Sequence, residues 1–481
     1  MGSLKFILSA YLLSLSLCYA FEERVAAESQ HELQHMHTIQ LSSLLPSSVC
    51  NPSTKGNAKK SSLKVVHKHG PCFKPYSNGE KAASPSPSVS HAEILRQDQS
   101  RVKSIHSRLS KNSGSLDEIR QSDDATLPAK DGSVVGAGNY IVTVGIGTPK
   151  KDLSLIFDTG SDLTWTQCEP CVKYCYEQKE PKFDPTVSQS YSNVSCSSTI
   201  CTSLQSATGN SPACASSTCL YGIQYGDSSF SIGFFGKETL TLTPRDVFPN
   251  FLFGCGQNNR GLFGGAAGLM GLGRDPISLV SQTATKYKKL FSYCLPSSAS
   301  STGHLTFGPG ASKSVQFTPL SSISGGSSFY GLEMIGISVG GQKLSIAASV
   351  FTTAGTIIDS GTVITRLPPD AYTPLRTAFR QFMSKYPTAP ALSLLDTCYD
   401  FSKYSTVTLP QISLFFSGGV EVSVDKTGIM YASNISQVCL AFAGNSDPTD
   451  VSIFGNTQQH TLEVVYDVAG GKVGFAAGGC S

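Results

Sequence analysis

The spacing of hydrophobic positions divides the chain into two unlike parts. From Asn139 onward, short runs of β-branched and aromatic residues are separated by glycine and serine, which is typical of a β-rich protein. Residues 140–147 form one predicted strand, residues 148–151 a turn, and residues 153–157 the next strand, which ends directly before Asp158. The pattern therefore predicts a hairpin that leads into a tight turn at Asp158.

Residues 21–131, which we call the leader, follow a different pattern. Residues 63–66 resemble a short strand, and residues 92–109 have helical spacing. The apolar positions of that helix share one face; they are Ile94, Leu95, Val102, Ile105 and Leu109. Residues 131–138 are rich in glycine and form an exposed joint suited to proteolytic cleavage. We therefore interpret the leader as a removable pro-segment.

Two β-rich units are expected after the leader. Residues 296–312 are rich in Pro, Ser and Gly and indicate the link between them, and residues 369–385 form the one strong helical pattern of the second unit. We predict a signal peptide at residues 1–20, the pro-segment at residues 21–131, an N-terminal lobe at residues 132–302 and a C-terminal lobe at residues 303–481. The fold class is mainly β, with two lobes.

One short pattern occurs in both units. Residues 155–161 and 356–362 each end an apolar run with Asp, a hydroxyl residue, Gly and a second hydroxyl residue. A strand delivers the carboxylate, glycine permits a tight turn, and the hydroxyls can hydrogen-bond the carboxylate. Two such copies can place Asp158 and Asp359 face to face, in which case one would keep a proton while the other acts as a base on water. The alternative interpretation is a pair of Asx turns at strand ends.

Charge is distributed unevenly between the leader and the rest of the chain. Residues 1–130 hold 16 Lys and Arg against 11 Asp and Glu, whereas residues 131–481 hold 21 against 23. The larger part is therefore not a basic nucleic-acid surface. A basic segment lying over a mildly acidic body is consistent with a pro-segment.

The first 20 residues predict secretion. Lys5 precedes an apolar stretch at residues 6–17, and a small residue, Ala20, suits cleavage. A plastid transit peptide would be rich in Arg and poor in acids, but no Arg precedes Arg24 and acidic residues follow at once. We expect a secreted, apoplastic protein, with the vacuole or chloroplast as alternatives. The apolar stretches are too short for a membrane span.

Cysteine usage supports an oxidising compartment. Cys50 and Cys72 lie in the leader, and the even number in the body favours disulfides; those are Cys168, Cys171, Cys175, Cys196, Cys201, Cys214, Cys219, Cys255, Cys294, Cys398, Cys439 and Cys480. A zinc site at Cys168–Cys175 is disfavoured because no fourth ligand is evident, and we expect neither a metal nor a cofactor. Asn193 and Asn434 begin N-glycosylation sequons.

A family resemblance covers residues 139–481 in order. The stretch from Gly145 to Trp165, the segment Tyr225-Gly226-Asp227-Ser228-Ser229, residues 267–273, the second Asp motif and residues 452–456 resemble the signatures of pepsin-like aspartic proteases. The cysteines resemble the plant nepenthesin-like branch. Residues 65–72 and 150–168 look most similar to the aspartyl proteases related to the chloroplast nucleoid DNA-binding protein.

The resemblance implies a bilobal fold with the active site between the lobes and a role for each motif residue. Asp158 and Asp359 would be catalytic. Tyr225, Gly226 and Asp227 would form a flap over polypeptide substrates, with Trp165 donating its indole N–H to Tyr225. The remaining motif residues would support the dyad, with Ser161 and Thr362 as the outer hydroxyls; they are Thr159, Gly160, Ser161, Ser360, Gly361 and Thr362. A core aromatic is the alternative role for Trp165.

The leading hypothesis is an acid endopeptidase made as a monomeric zymogen. Seven of the nine His lie in the leader, and their protonation would weaken its hold; these are His31, His35, His37, His67, His69, His91 and His106. One alternative is a catalytically inactive inhibitor or binding protein with this fold, which the intact motifs argue against. The other is a DNA-binding plastid protease, for which the leader offers only a modest basic run without a DNA-binding motif.

Overall fold

The computed structural model describes residues 35–45, 47–53, 61–73, 90–111, 140–225, 229–261, 263–309, 314–324 and 326–480. The predicted signal peptide at residues 1–20 and the predicted joint at residues 131–138 lie outside these ranges. We call residues 140–480 the body.

Three elements of the leader pack on the body. They are strand β1 (Met36–Gln40), strand β2 (Ser62–His67) and helix α1 (His91–Lys111), with a 3-10 turn at Leu41–Ser43. Ser90 precedes α1, and its hydroxyl accepts the Glu93 N–H at 3.2 Å, as in a Ser-x-x-Glu cap. The strand and helix predicted from the leader's sequence pattern are confirmed, each with slightly wider bounds.

The first half of the body consists of eleven strands and four short helices within the described residues. The strands are β3 (Tyr140–Ile146), β4 (Lys151–Asp158), β5 (Trp165–Gln167), β6 (Ser192–Asn193), β7 (Ala213–Ala215), β8 (Thr218–Gln224), β9 (Phe230–Thr243), β10 (Asp246–Arg260), β11 (Gly268–Gly271), β12 (Leu290–Cys294) and β13 (Thr302–Phe307). The helices are α2 (Thr199–Thr202), α3 (Leu204–Thr208), α4 (Leu279–Gln282) and α5 (Ala284–Tyr287).

The second half is built in the same way, from short strands with few helices. Its strands are β14 (Gln316–Pro319), β15 (Tyr330–Leu332), β16 (Met334–Val339), β17 (Gln342–Lys343), β18 (Thr356–Ile358), β19 (Thr365–Leu367), β20 (Thr388–Ala389), β21 (Cys398–Tyr399), β22 (Thr406–Pro410), β23 (Ile412–Phe416), β24 (Val420–Ser423), β25 (Met430–Asn434), β26 (Gln437–Leu440), β27 (Phe442–Gly444), β28 (Ser452–Phe454), β29 (Glu463–Asp467) and β30 (Lys472–Ala476). The helices are α6 (Ala348–Thr352), α7 (Pro369–Phe382) and α8 (Lys426–Ile429), and a 3-10 turn covers Asn456–Gln459.

A 15-stranded sheet connects the two halves. Its order is β14-β30-β29-β12-β13-β2-β3-β4-β11-β5-β10-β9-β8-β7, with β6 paired to β9. The leader strand β2 lies inside this sheet, antiparallel to β13 on one side and to β3 on the other. Val66 pairs with Thr302 of β13 and with Ile141 of β3. The leader therefore completes the backbone hydrogen bonding of the sheet.

The C-terminal half adds three smaller sheets. One of them, β15-β18-β28-β19-β27, carries the second Asp motif, and the others are β17-β16-β23-β24 and β20-β21-β26-β25. The leader also reaches this half, since β1 pairs antiparallel with β22. Leu63 and Val65 of β2 and Ile39 beside β22 belong to the main apolar core, so burial as well as hydrogen bonding holds the leader in place.

The mainly β, two-lobed prediction is confirmed. The link expected at residues 296–312 differs from the structure, because residues 302–307 form β13, which is paired with both β12 and β2. A boundary at residues 302 and 303 therefore falls inside a strand of the shared sheet. The Ser- and Gly-rich composition suggested a loop, but both sides of β13 are hydrogen-bonded, and this pairing offsets the weak intrinsic preference for a strand.

Candidate active site

Two carboxylates lie at the ends of equivalent strands. β4 ends at Asp158, and β18 ends one residue before Asp359. Both side chains are fully buried. Each accepts the N–H two residues further along the chain, from Gly160 to Asp158 Oδ1 and from Gly361 to Asp359 Oδ1, both at 3.0 Å. The two motifs thus form matching turns.

The glycines of these turns let the carboxylates approach one another. A Cβ atom at Gly160 would lie 2.8 Å from Asp359 Oδ1, and one at Gly361 would lie 2.5 Å from Asp158 Oδ1. Both distances are shorter than a non-bonded contact allows, so a larger residue would separate the two acids. Glycine is required here for close approach and not for an unusual backbone angle.

The middle hydroxyl of each motif binds the other lobe. Thr159 donates its backbone N–H to Ser360 Oγ at 3.1 Å, and Ser360 donates its backbone N–H to Thr159 Oγ1 at 2.9 Å. All of these atoms are buried, where a satisfied hydrogen bond fixes geometry and an unsatisfied one is costly. This reciprocal pair holds the two Asp turns at one separation.

The outer hydroxyls differ between the two motifs. Thr362 donates its hydroxyl to Asp359 Oδ2 at 2.6 Å, in the position expected from the sequence. The Ser161 hydroxyl is buried but has no hydrogen-bond partner of good geometry among the described residues. It lies close enough to help lower the pKa of Asp158. The expected symmetry of the two hydroxyls is therefore not present in this state.

The aromatic pair expected from the flap motif is in contact. Trp165 is fully buried and donates its indole N–H to the Tyr225 hydroxyl at 2.7 Å. Both rings pack edge-on against Phe263, at centroid distances of 5.2 and 6.3 Å. Trp165 is thus both a core aromatic and a support for Tyr225. Gly226 and Asp227, also expected in the flap, lie outside the described residues.

A cation from the leader lies between the two acids. Arg101 of α1 donates Nη2–H to Asp158 Oδ1 at 2.7 Å and to Asp359 Oδ1 at 3.0 Å. Its Nε–H binds Asp359 Oδ2 at 3.0 Å, and its Nη1–H binds Asp158 Oδ2 at 3.2 Å. All four carboxylate oxygens therefore face one guanidinium, a geometry for which the planar arginine fork is suited.

The protonation of the two acids reflects burial and this cation. Burial acts to raise the pKa of Asp158, but the charge and hydrogen bonds of Arg101 outweigh it, and the pKa is lowered. For Asp359, burial and the charge of Asp158 outweigh Arg101, so the pKa of this carboxyl is raised. The two acids respond in opposite directions and titrate as a pair. Burial lowers the pKa of Arg101, but the two carboxylates reverse this, so it remains charged.

A second buried ion pair, together with two backbone hydrogen bonds, connects α1 with the segment that follows Asp359. Asp98 is fully buried and accepts the backbone N–H of Val363 at 2.6 Å and of Ile364 at 3.1 Å. Its Oδ2 also accepts Nη2–H of Arg366 at 2.8 Å. Asp98 and Arg101 are three residues apart, so they lie on the same side of the helix.

Comparisons with known proteins cover the whole body. Models described as "Xylanase inhibitor N-terminal" and "Xylanase inhibitor C-terminal" match residues 140–309 and 329–477. An aspartyl protease family protein of Arabidopsis thaliana is 63% identical over 448 residues, which are 92% of this chain and 93% of the relative. The chain belongs to the pepsin-like aspartic protease family. It is an aspartic endopeptidase by that membership.

Further relatives place the protease among plant enzymes of this type. Aspartyl protease AED1 of Arabidopsis thaliana is 53% identical, with 99% of each chain covered. Aspartic proteinase nepenthesin-2 of Nepenthes gracilis is 37% identical, with 80% of this chain and 85% of the relative covered. A crystal structure of basic 7S globulin from soybean superposes with a TM-score of 0.55 at 23% identity, over 70% of this chain and 91% of that one. That last likeness supports the fold alone.

All twelve body cysteines of the protease are paired, and none is left to bind zinc. The pairs are Cys168–Cys255, Cys171–Cys175, Cys196–Cys214, Cys201–Cys219, Cys294–Cys480 and Cys398–Cys439. Cys50 and Cys72 of the leader pair with each other. Within the described ranges no group of three or more His, Cys, Asp and Glu is placed to hold a metal ion, and no described helix is long and apolar enough to cross a membrane.

Both sequons of the protease lie at the surface. Asn193 is exposed in the short strand β6, and Asn434 is exposed at the end of β25. Both side chains are therefore accessible to a glycosyltransferase.

Sequence reasoning missed Arg101, Asp98 and Arg366. A signal was present in the leader helix, because Asp98 and Arg101 fall among Leu95, Val102 and Ile105, the residues that form its apolar face. Charged residues on a buried face require partners. The sequence does not show that the partner of Arg101 is the dyad itself.

Proposed function

We propose that the protein is a secreted aspartic endopeptidase, made as a zymogen, which hydrolyses peptide bonds at acidic pH once its leader has left the cleft. The observation that carries the proposal is the Arg101 guanidinium bound to all four oxygens of Asp158 and Asp359. A cleft in this state has no room for an attacking water between the acids. Withdrawal of Arg101 frees the pair for catalysis.

The chemistry follows from two buried acids that face each other. Without Arg101, two adjacent carboxylates share one proton because like charges in a buried site repel. The ionised acid takes a proton from a bound water, which attacks the peptide carbonyl. The protonated acid stabilises the developing oxyanion and supplies a proton for the leaving amine. Tyr225, whose hydroxyl accepts the Trp165 indole N–H, would close over the substrate and exclude bulk water.

Histidines of the leader supply a response to acid. Burial lowers the pKa of His37, His67, His91 and His106 below the ordinary value of 6.5. Each of these histidines binds a proton more readily when the leader is released than when it is docked. Docking of the leader is therefore favoured above pH 6.5 and weakens as the pH falls below that value. His69 is exposed at the surface, so solvent reduces any lowering of its pKa by burial, and we give this residue little weight in the acid response.

Their surroundings support this direction. His67 is at the end of β2, and its ring packs edge-on against Tyr140 at 5.5 Å. The charges next to it are cationic or become so in acid, namely Lys68, His69, His91 and His460. His106 has a carboxylate within 3.2 Å, Asp450, which opposes the effect of burial without reversing it. Protonation in the docked state is therefore penalised most at His67.

Secretion is supported by the seven disulfides, which require an oxidising compartment, and by the two exposed sequons.

The proposed function is tested by secretory expression of the full chain, followed by acidification from pH 7 to pH 3 and digestion of an unfolded protein with and without pepstatin. We expect pepstatin-sensitive cleavage that appears only in acid and is lost in Asp158→Asn and Asp359→Asn.

Asp447→Asn is the matched control, because Asp447 is an exposed turn residue whose carboxylate accepts hydrogen bonds from Thr449. Undiminished activity in either dyad variant would contradict the catalytic assignment. Equal activity of the untreated and acidified chain would contradict the zymogen assignment, and a correctly folded chain without any activity would favour the binding-protein alternative.

A further inference from the structure

The Asp98 carboxylate occupies a complete anion site in the C-terminal lobe. Both backbone donors come from the loop after Asp359, at Val363 and Ile364, and the guanidinium comes from Arg366 in β19. Every one of these donors belongs to the body, and only the acid belongs to the leader. The site therefore remains when the leader departs.

Arg366 is held by contacts within the body as well as by the leader. Its backbone pairs with Ala443 of β27 and with Ile453 of β28, and its Nη1–H binds the Ile364 carbonyl at 2.7 Å. Only 1% of the side chain is exposed, and its Nε atom has no hydrogen-bond partner among the described residues. That exposure applies while the leader is docked. When α1 leaves, Arg366 loses both the Asp98 carboxylate and the helix that carries it, so an anion of a substrate can take the place of Asp98.

The anion site is built on the loop that follows Asp359, with its backbone donors four and five residues beyond that acid. Asp98 and Arg101 are three residues apart on α1, which corresponds to about 4.5 Å along a helix axis. An extended substrate advances about 3.3 Å per residue. A substrate side chain that enters the site would therefore belong to a residue within about three positions of the bond that is cut.

We propose that Arg366, with the N–H groups of Val363 and Ile364, forms a subsite that binds an acidic side chain of the substrate. This inference rests on the proposed peptidase function and adds a preference to it. Asp98 then acts as a substrate-like residue of the leader, and α1 fills both the catalytic position and the subsite. A Glu or Asp side chain supplies the same carboxylate as Asp98.

The preference has a pH dependence set by the substrate. A free Glu side chain is ionised above about pH 4.3, and only the ionised form matches the charge of Arg366. The advantage of an acidic residue should therefore be largest near pH 5 and should shrink toward pH 3. A preference based on size or shape would not change in this way.

The experiment uses acid-activated full-length protein and a set of peptides with one cleavable bond. Glu is placed in turn at each of the three positions on either side of the bond, and each peptide is paired with its Gln counterpart. At pH 5 we expect one position at which kcat/KM for Glu exceeds that for Gln by about tenfold, the value of one charge-assisted hydrogen-bonded contact. In Arg366→Gln this ratio should fall to about one.

The matched control is Arg376→Gln. Arg376 is a partly exposed residue of α7 that binds Asp396, so the variant removes the same charge from the same lobe and should keep the Glu preference. Cleavage of all pairs by the unmutated protein with no Glu preference at any position would overturn the subsite while leaving the peptidase function intact. Failure to cleave any peptide would contradict the peptidase function itself. If Arg366→Gln does not fold, the comparison of Glu and Gln peptides at pH 5 and pH 3 with the unmutated protein still decides the question.

Discussion

Arg101 and Asp158 form the shortest of the four contacts that keep the dyad covered, with Nη2 and Oδ1 2.7 Å apart. Arg101 lies in the leader and Asp158 begins the first of the two Asp turns, so in the zymogen that we propose, inhibition and catalysis would depend on the same oxygen atoms. The contact is buried, with 9% of the Arg101 side chain exposed. Buried pairs of this kind are costly to break from one side.

The first prediction concerns removal of this cation. Arg101→Gln should weaken leader docking by about 3 kcal/mol, which is roughly a hundredfold in the docking equilibrium. The full-length variant should become active at a higher pH than the unmutated chain. Arg101→Lys should fall between the two because it retains the charge but not the fork. Activity against an unfolded protein as a function of pH provides the measurement.

Lys103→Gln is the control for the Arg101 variants. Lys103 is exposed on the same helix, so this variant loses the same charge without touching the dyad. An activation curve for Arg101→Gln that coincides with that of Lys103→Gln would show that Arg101 does not hold the leader in the cleft.

The second prediction concerns the acid response. Burial holds the pKa of His67 well below its ordinary value, and its protonation therefore favours the released leader between pH 6.5 and that lowered pKa. Gln cannot take up the proton, so His67→Gln should shift the activation midpoint down by about half a pH unit and make the transition less steep. His35→Gln serves as the comparison variant. His35 lies near the N-terminal end of the described leader and contacts Gln411 of the body. An unchanged midpoint and slope would remove His67 from the response.

The third prediction uses the only Trp of the chain. Tyr225→Phe removes the acceptor for the Trp165 indole N–H, so the emission of Trp165 should change and kcat/KM should fall by about tenfold, the effect of one lost hydrogen bond. Saturating pepstatin should alter the fluorescence of the activated enzyme much more than that of the variant. Tyr174→Phe, at an exposed tyrosine, should behave like the unmutated chain. A Trp165 spectrum that pepstatin does not change would argue against coupling between Trp165 and the cleft.

The fourth prediction concerns the disulfide within the leader. Cys50 and Cys72 are 22 positions apart, and a loop of that length stabilises a folded segment by about 3 kcal/mol in the chain-entropy model. The Cys50→Ser, Cys72→Ser double variant should therefore release its leader at a higher pH. The Cys171→Ser, Cys175→Ser variant, which removes a bridge between body residues four positions apart, should activate normally. Activation pH for both variants, measured side by side, checks the difference.

Local patterns predicted the parts of the protein that depend on neighbouring residues. The strands around Asp158 follow from β-branched runs bounded by glycine, and the two turns follow from a motif of four residues. The approach of Thr159 to Ser360 could be expected once the two motifs were paired. In each case one short stretch of sequence is enough to predict the local backbone structure.

Contacts between distant segments could not be predicted in the same way. Arg101 is separated from Asp158 by 57 residues and from Asp359 by 258, and its spacing shows only that it lies on the apolar face of a helix. The strand at residues 302–307 was missed because its pairing with β2, and not its composition, determines its structure. The Ser161 hydroxyl lacks the hydrogen bond that Thr362 makes although the two motifs match, and Arg101 does not account for this, because it makes two hydrogen bonds to each acid.

The position of β2 in the middle of the sheet affects the stability of the protease after its leader has left. When a strand leaves the middle of a sheet, β3 and β13 each lose a row of hydrogen bonds along a newly opened edge, and open edges promote association between chains. We expect that the protease without its leader stays folded because its unfolding is slow. Once unfolded, it should be unable to refold. Maturation would then be irreversible in a conformational as well as a chemical sense, and the working lifetime of the protease would be set by a rate rather than by an equilibrium.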